Sequence, residues 1–436
     1  MNDHTDHVSR RRFVKQAGAA ALVAPTILSA TALSNAARPA PSDRLTLGFI
    51  GVGKQNGGHL KSFLGRSGCQ VLAVCDVDTS RREHAKKVVE DKYSENERKD
   101  YKGCEAYNDY RQLLARDDID AVVIATPDHW HVNPVVDACK AGKDIYCEKP
   151  LSLMIGEAKL MIDAVRKYKR VFQTGSQQRT EYDGKFRKAC EYVRSGRIGK
   201  VITVFAGLGG PSRWCDLPEE AMEPGLDWDT WLGPAPKRPY NSVLSPRGVH
   251  DFFPNWRSYR EYSGGGMTDF GAHHFDIAQW GLDMDESGPV EIIPPKDEKA
   301  QKGVKYVYPN GVVMYHGGPD GVTFVGTEGM IYVDRGVLIS EPEKILKTPL
   351  GDNDVHLAKA KSHHDNWLDC IKSREKPICD VEVGARSVTV CHLGNLAYWN
   401  HRSLRWDPQN WKFENDTEAN TWLDHERREA WPLPTL

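Results

Sequence analysis

The stretch Asp144-Ile145-Tyr146-Cys147-Glu148-Lys149-Pro150 is the one around which the rest of the chain is organised. Its apolar run, Ile145 to Cys147, predicts a short buried strand that an acid, a base and an imino acid follow directly. In an open parallel sheet, ligands bind in the crevice beyond the carboxyl ends of the strands. We therefore expect Glu148 and Lys149 at a ligand site, on a turn that Pro150 stiffens. The alternative is a solvated ion pair at the start of a loop.

A glycine-rich turn follows the first predicted strand, Leu45 to Ile50. It reads Gly51-Val52-Gly53-Lys54-Gln55-Asn56, so that Asn56 stands where the G-x-G-x-x-G pattern has its third glycine. Gly51 and Gly53 let the turn close and let a pyrophosphate approach the backbone at the next helix N-terminus. The turn predicts a dinucleotide site, and Asn56 leaves the details of its pyrophosphate contact open.

The second predicted strand, Val71 to Cys75, ends in a carboxylate, Asp76. At this position an acid accepts hydrogen bonds from the adenosine ribose and repels a 2′-phosphate, which favours NAD over NADP. Arg81 and Arg82 follow closely and would suit a 2′-phosphate, so NADP stays open. The alternative role for Asp76 is to cap the following helix.

Strand and helix patterns alternate as far as residue 174, which is typical of a parallel, doubly wound α/β sheet. The stretch Thr126-Pro127-Asp128-His129-Trp130-His131 follows the strand Ala121 to Ala125. Thr126, Pro127 and His131 are therefore expected to border the cofactor, although His131 could instead cap the next helix. We predict a leader with linker over residues 1–40, a nucleotide-binding domain over 41–174, and a substrate-binding and oligomerisation domain with a C-terminal tail over 175–436.

A second chemical cluster lies in Gly264-Gly265-Gly266-Met267-Thr268-Asp269-Phe270-Gly271-Ala272-His273. If Thr268 caps a helix, Asp269 and His273 are four residues apart and share one face. A carboxylate beside an imidazole raises its basicity and fixes its orientation, as a general base near neutral pH requires. A buried histidine whose hydrogen bonds Asp269 satisfies is the alternative. Beyond this cluster, the pattern from Val304 to Ile339 predicts antiparallel hairpins, with a turn at Asn310-Gly311.

Composition excludes several classes of function. The net charge of −2 over 436 residues provides no basic field, so we expect no nucleic-acid partner. The 10 cysteines include no CxxC pair, so neither a metal site nor a disulfide framework is predicted.

The N-terminal residues have the layout of an export signal. Ser9-Arg10-Arg11-Arg12-Phe13-Val14-Lys15 matches the twin-arginine pattern, and an uncharged, alanine-rich run continues to Leu33. Pro25 interrupts this run, which is short and weakly apolar for a membrane span. We expect a periplasmic protein that the twin-arginine translocase exports already folded around its cofactor, with no stable membrane span after cleavage.

Together these clusters resemble the Gfo/Idh/MocA oxidoreductase family, in its glucose–fructose oxidoreductase and inositol dehydrogenase branches, from about residue 45 to 400. The resemblance implies a Rossmann domain followed by an α/β domain whose large, mostly antiparallel open sheet mediates homodimers or homotetramers. It also implies a tightly bound nicotinamide cofactor, a cis peptide before Pro150, and hydride transfer at a ring secondary hydroxyl of a sugar or cyclitol. The motifs that carry it are Gly51-Val52-Gly53, Asp76, Thr126-Pro127 with His131, Glu148-Lys149-Pro150, and Gly264-Gly265-Gly266 with Asp269 and His273.

The residues and the resemblance together suggest a mechanism as a hypothesis. His273, oriented by Asp269, takes the hydroxyl proton, while Lys149 donates a hydrogen bond to the same oxygen. Lys149 as the base, with His273 as its orienting partner, is the competing assignment. Two other functions stay open, a redox-neutral sugar-modifying enzyme that recycles its bound cofactor and a non-catalytic carbohydrate-binding module. The predicted site residues outside the motifs are Gln177, Arg179, Trp256 and Arg257 for the substrate, with Glu148 and Lys149 also expected at the cofactor.

Overall fold

The structure is a computed structural model that describes residues 43–96 and 100–436. The predicted twin-arginine signal lies outside these residues. Residues Leu45–Leu436 form one compact unit with two sheets. No helix of the described ranges is both long enough and apolar enough to cross a membrane.

The first sheet is parallel and has six strands in the order β3-β2-β1-β4-β5-β6, which confirms the predicted Rossmann topology. Its strands are β1 Leu45–Ile50, β2 Cys69–Cys75, β3 Glu105–Tyr107, β4 Ala121–Ile124, β5 Asp144–Cys147 and β6 Phe172–Thr174. The central strands β4 and β5 are buried throughout, as continuous apolar runs require when helices cover both faces. The short edge strand β3 has no comparable apolar run, and sequence patterns missed it.

Helices connect these strands: α1 Lys54–Leu64, α2 Thr79–Asn96, α3 Tyr110–Leu114, α4 Val132–Lys140 and α5 Ile155–Tyr168. The strand order reverses between β1 and β4, because β1 pairs with β2 on one side and with β4 on the other. Crevices at such a reversal bind ligands in doubly wound sheets. The loops after β1 and β4 therefore face a place where a ligand fits.

The second sheet has eight strands and is mostly antiparallel, as expected. Its order is β12-β11-β10-β9-β8-β13-β14, and β7 pairs with β10. The strands are β7 Val201–Gly207, β8 Glu291–Ile293, β9 Lys305–Val307, β10 Val313–Gly326, β11 Met330–Val333, β12 Leu338–Glu341, β13 Leu404–Asp407 and β14 Lys412–Phe413. The helices of this half are α6 Lys185–Arg194, α7 Trp228–Leu232, α8 Gly266–Asp269, α9 Gly271–Gly281, α10 Lys344–Lys347, α11 His363–Ser373, α12 Val381–Asn400 and α13 Thr417–Thr421.

Two further long segments belong to the second half of the chain. The first, residues 209–262, forms its own small apolar cluster around Trp231, Tyr240 and Trp256, and we name it the insert. The second is the C-terminal tail, which begins after α12 and contributes strands β13 and β14. Trp406 is buried in β13, which pairs with β8, so the sheet includes this part of the chain.

Candidate active site

A cleft of about 280 Å³ opens where β1, β2 and β4 end. It brings the predicted cofactor residues Gly51, Gly53, Asp76, Thr126 and Pro127 to one place. The insert forms the facing wall with Asp227, Thr230, Trp231, Leu244, Ser245, Pro246, His250, Phe253, Pro254, Trp256 and Arg257. The cleft is thus enclosed between the first sheet and the insert.

The glycine turn after β1 suits a dinucleotide. Gly51 has a φ of +75°, and a Cβ there would lie 2.9 Å from the backbone nitrogen of Thr126, so only glycine fits. A Cβ on Gly53, the N-cap of α1, would have no atom within 4 Å, and the first turn of α1 contains no acidic residue. The N-terminal amides and the helix dipole of α1 are therefore available to a pyrophosphate.

Asp76 lines the same cleft at the end of β2. Its carboxylate accepts hydrogen bonds from the backbone N–H groups of Val52, at 2.9 Å, and Asp78, at 2.9 Å. Burial raises the pKa of Asp76 above its usual value, and Arg81 opposes this shift. A ribose that donates hydroxyl protons to this carboxylate would add the contacts that buried acids need.

The two arginines near Asp76 both donate hydrogen bonds to other protein groups. Arg81 donates to the carbonyls of Pro246 and Gly248 and to Ser245, so it fastens the insert to the first sheet. Arg82 donates to the carbonyl of Asp76 and to the side chain of Asn108.

Three of the predicted cofactor residues lie behind the cleft wall. Asn56 is fully buried and donates to the carbonyls of Ile50, Gly51 and Val123, so it holds the glycine turn against β4. His131 is also buried, with its ring nitrogens 2.8 Å from the carbonyl oxygen of Pro150 and 3.0 Å from that of Thr126. Both side chains hold loops that line the cleft, and neither side chain lines the cleft itself.

Glu148 is the third predicted cofactor residue behind the cleft wall, and it belongs to a buried polar network. Its Oε1 atom lies 2.8 Å from His59 Nε2 and accepts a hydrogen bond from Gln177 Nε2 at 2.6 Å. His59 Nδ1 in turn lies 2.9 Å from Nε2 of His364 in α11. Burial would raise the pKa of Glu148, but its hydrogen bond and charge interaction with His59 lower it to about 2. Gln177, expected at the substrate, is occupied by this network and by the Tyr146 hydroxyl.

Lys149 reaches from the end of β5 to the second half of the chain. The peptide before Pro150 is cis, as expected. Lys149 Nζ donates to the Asp269 carboxylate at 2.7 Å and to the Asp269 carbonyl at 2.9 Å. Arg257 lies 3.7 Å from the same carboxylate, and it stacks 4.2 Å from the ring centroid of Trp256. The structure therefore joins Lys149, Asp269, Trp256 and Arg257 at one edge of the cleft.

His273 differs from our expectation. The Asp269 carboxylate accepts from Lys149 in place of His273, and Nδ1 of His273 is buried without a hydrogen-bond partner among the described residues. Burial, and then the positive charges of Lys149 and Arg335, hold the pKa of His273 well below its usual range. The expected rise in basicity is thus reversed, because burial and two nearby cations disfavour the protonated ring while the Asp269 carboxylate pairs with Lys149.

Arg179 was predicted to contact substrate, and the structure places it in a buried network of ion pairs outside the cleft lining. Its guanidinium is 1 % exposed and forms paired hydrogen bonds with Asp276, at 2.8 and 2.9 Å, and with Asp285, at 2.7 Å for both. It also stacks 4.8 Å from the ring centroid of Trp280. A guanidinium that is buried this deeply needs carboxylate partners. Arg179 therefore links its own loop to α9 through Asp276.

The sequence analysis did not identify two charged residues near the edge of the cleft where Lys149 meets Asp269. Asp128 is 2 % exposed, accepts from Ser263 Oγ at 2.6 Å, and has a pKa that burial raises to about 7. Arg335, after β11, stacks 5.3 Å from the ring centroid of Phe270 and acts on the pKa of both Asp269 and His273. Asp128 stood inside the Thr-Pro-Asp-His-Trp-His stretch and was within reach of sequence reasoning, whereas no sequence signal marks Arg335.

The residues at the cleft fit a nicotinamide dinucleotide. The glycine turn, the free N-terminus of α1 and Asp76 match its pyrophosphate and adenosine ribose. The hydroxyl of Thr126, at the end of β4, is buried with no hydrogen-bond partner within the described ranges. A bound polar ligand would satisfy such an atom.

The family comparison covers most of the chain. Residues 45–176 match the GFO_IDH_MocA family, described as an oxidoreductase family with an NAD-binding Rossmann fold. Residues 187–433 match its C-terminal alpha/beta domain.

The chain is also similar to curated proteins and solved structures. It is 32% identical over 224 residues to glycosyl hydrolase family 109 protein 1 of Shewanella sp. (strain MR-4), covering 48% of this chain and 47% of the relative. It is 31% identical over 222 residues to the alpha-N-acetylgalactosaminidase of Shewanella oneidensis, with the same coverage. The chain thus spans about half the length of these relatives.

Among solved structures, the WlbA dehydrogenase from Bordetella pertussis, in complex with NADH and UDP-GlcNAcA, superposes with a TM-score of 0.59. The match has 15% identity and covers 85% of this chain and 99% of that one. The aldose-aldose oxidoreductase from Caulobacter crescentus gives a TM-score of 0.55 at 16% identity, covering 83% and 99%. These likenesses concern the fold.

Proposed function

This chain belongs to the Gfo/Idh/MocA oxidoreductase family, and we propose that it transfers a hydride between a ring secondary hydroxyl of a sugar or cyclitol and a nicotinamide cofactor. The observation that carries the proposal is the contact of Lys149 with Asp269, at 2.7 Å, beside a cleft that fits a dinucleotide. Lys149 comes from the first half of the chain and Asp269 from the second. A substrate at this edge would therefore lie between the two halves.

Lys149 is suited to stabilise the reacting oxygen. An ammonium group has three N–H donors, and Lys149 uses two of them on Asp269. The third donor is available to a substrate hydroxyl, whose oxygen gains negative charge as its proton leaves. Asp269 and its neighbour Arg257 keep the lysine in place.

His273 is suited to accept the hydroxyl proton. Its lowered pKa keeps the imidazole neutral near pH 7, and a neutral ring has one nitrogen free to accept. The same low pKa makes it a weak base, and Lys149 is the competing candidate for the base. When bound, the nicotinamide supplies the hydride acceptor for the carbinol carbon.

We propose NAD as the cofactor. The Asp76 carboxylate would repel a 2′-phosphate on the adenosine ribose. Arg81 and Arg82 both donate hydrogen bonds to acceptors within the protein. Neither arginine is free to neutralise a 2′-phosphate unless it leaves those partners. The enclosing insert supports tight binding of the dinucleotide.

The test is an absorbance spectrum of the purified protein before and after addition of a panel of pyranosides and cyclitols. Growth of the reduced-nicotinamide band with one compound, in amounts equal to the protein, would support the proposal. A protein that binds neither NAD nor NADP in a titration would refute it and favour the carbohydrate-binding module.

A second candidate is a redox-neutral glycoside-cleaving enzyme that oxidises, eliminates and re-reduces its substrate with one recycled cofactor. The names of the curated relatives, glycosyl hydrolase family 109 and alpha-N-acetylgalactosaminidase, favour it. An oxidised ring carbon makes the adjacent C–H acidic, so this reaction exchanges ring hydrogen with solvent. Cleavage of an aryl glycoside in D₂O, with deuterium in the sugar product and no net reduced nicotinamide, would select this candidate over a simple dehydrogenase.

We further propose that the protein is exported to the periplasm through its twin-arginine sequence and assembles through its second sheet. Ile202 in β7, Met330 in β11 and Ile339 in β12 are exposed apolar side chains of that sheet, which supports a homodimer or homotetramer. Cell fractionation and light scattering on the purified protein test the two proposals.

A further inference from the structure

The segment of residues 424–436, which we name the strap, is fastened to the insert and to helix α5. Arg428 donates to the Asp229 carboxylate and to the carbonyl of Gly233, both in the insert and both at 2.6 Å. Arg427 donates to Glu157 of α5 at 2.7 Å, and Glu157 is fully buried. The strap therefore bridges the insert and the first sheet.

One side chain of the strap, Trp431, lines the cleft itself. Its ring lies edge-on to Trp130, with centroids 4.8 Å apart at 76°. The Arg111 guanidinium stacks 5.1 Å from the Trp431 ring centroid, and Arg111 also lines the cleft. An indole and a guanidinium thus meet at this wall, although they are about 320 residues apart in the chain.

This wall is at the end of the cleft where the adenosine would bind. Arg111 lies in α3, directly after β3, and the last residue of β3, Tyr107, accepts a hydrogen bond from the backbone N–H of Asp76 at 3.2 Å. Asp76 is the carboxylate suited to the adenosine ribose. Rings and guanidinium planes both stack on purines, so Trp431 and Arg111 have the chemistry to hold an adenine.

We propose that Trp431 and Arg111 complete the adenine end of the dinucleotide site, and that the strap must detach before the cofactor leaves. The inference rests on the proposed nicotinamide cofactor and adds binding residues from outside the Rossmann domain. It also explains how a dinucleotide would stay bound through many catalytic cycles, because its exit is then limited by release of a segment that several hydrogen bonds and a tryptophan hold in place.

The alternative is that Trp431 only packs on Trp130 and stabilises the fold. A purely structural tryptophan would change unfolding on mutation without a separate effect on cofactor release. The chain offers a matched control in Trp422, which precedes the strap, packs against the core of the second sheet, and carries an arginine, Arg402, 4.7 Å from its ring centroid.

The experiment uses the full chain as the Trp431→Ala, Trp431→Phe and Trp422→Ala variants. Protein loaded with NAD is mixed with excess enzyme that consumes released NAD, and the dissociation rate is read from that reaction. We expect Trp431→Ala to release NAD about ten- to a hundredfold faster, as loss of one base–aromatic contact predicts. Trp431→Phe and Trp422→Ala should release NAD within about twofold of the wild-type rate. Without cofactor, Trp431→Ala and Trp422→Ala should have similar thermal unfolding midpoints.

Wild-type release rates in Trp431→Ala would overturn the inference, and so would equal acceleration in Trp422→Ala. If Trp431→Ala does not fold, Arg428→Met detaches the strap without altering the cleft surface. It is expected to speed NAD release, and an unchanged rate there would also overturn the inference. Failure of the wild-type protein to bind any nicotinamide cofactor would instead refute the proposed function, so the two failures are distinguishable.

Discussion

The ammonium group of Lys149 lies 2.7 Å from the carboxylate of Asp269, although 120 residues separate them in the chain. Burial would raise the pKa of Asp269, but the charges of Lys149 and Arg257 outweigh it and hold the pKa below its usual value. Asp269 is therefore an ionised partner of the lysine, and it is not the orienting group of His273. This contact joins the Rossmann half to the second half at the edge of the cleft.

Replacing Lys149 should nearly abolish turnover. Lys149→Ala removes the donor that faces the reacting oxygen, and we expect kcat to fall about a thousandfold or more, in the range of a lost oxyanion contact. Circular dichroism should be unchanged. Lys159→Ala is the matched control, because Lys159 forms an exposed helical pair with Asp163. Activity within tenfold of wild type in Lys149→Ala would remove it from the reaction.

Asp269→Asn tests whether the pair acts as one unit. The amide keeps the shape but leaves Lys149 without a charged partner, so we expect kcat/KM to fall about a hundredfold. In the double variant Lys149→Ala with Asp269→Asn, the loss should be close to that of Lys149→Ala alone, because the carboxylate acts through the lysine. Losses that multiply would show that Asp269 acts independently.

Cofactor preference should depend on Asp76. Asp76→Asn removes the charge and keeps one acceptor oxygen, so it retains one of the two hydrogen bonds that the carboxylate accepts from the backbone N–H groups of Val52 and Asp78. We expect NAD affinity to fall about tenfold while NADP affinity rises, because a 2′-phosphate no longer meets a carboxylate. Calorimetric titration with both cofactors measures the change, and the surface variant Asp118→Asn serves as control. A wild-type protein that prefers NADP would contradict the assignment of Asp76.

Stability should fall in mild acid. Burial lowers the pKa of His392 to about 4 and that of His129 to about 3, against 6.5 for a free imidazole. Between pH 6.5 and 4 the unfolded chain binds protons that the folded chain rejects, so the free energy of unfolding decreases as the pH falls. Each such histidine contributes up to about 1.4 kcal/mol per pH unit in that window.

His392→Gln isolates one of these groups. It keeps a donor for the Ser152 carbonyl, which lies 3.0 Å from His392 Nε2. We expect the slope of unfolding free energy against pH to flatten by about one proton between pH 6 and 4.5. The exposed His356→Gln serves as control. An unchanged slope in His392→Gln, measured by urea unfolding, would show that this imidazole titrates normally.

Arg179 should matter for stability. Arg179→Met leaves the fully buried Asp276 without its cation, and we expect a loss of about 3–5 kcal/mol in the free energy of unfolding. Arg194→Met breaks a pair with the exposed Asp283 and should cost less than about 1 kcal/mol. A raised KM for the substrate with normal stability in Arg179→Met would instead support the predicted substrate contact.

The local features of the molecule follow closely from the amino-acid sequence. Apolar runs predicted five of the six Rossmann strands, the last of them at residues 171–174. The glycine turn and Asp76 were placed at the ligand site, because strand ends and helix starts depend on residues close together in the chain. The edge strand β3 was missed because its three residues bury little apolar surface.

The choice of partner for each polar side chain was decided only by the tertiary structure. Asp269 pairs with Lys149 and Arg179 with two aspartates, and the strap brings Trp431 to Arg111. The sequence predicted that Asp269 pairs with His273, because residues four apart in a helix share one face. In the folded chain, burial makes an unpaired charge costly and brings a distant opposite charge within hydrogen-bond range. The sequence therefore determined which chemical groups this protein holds, and long-range packing determined which of them act together.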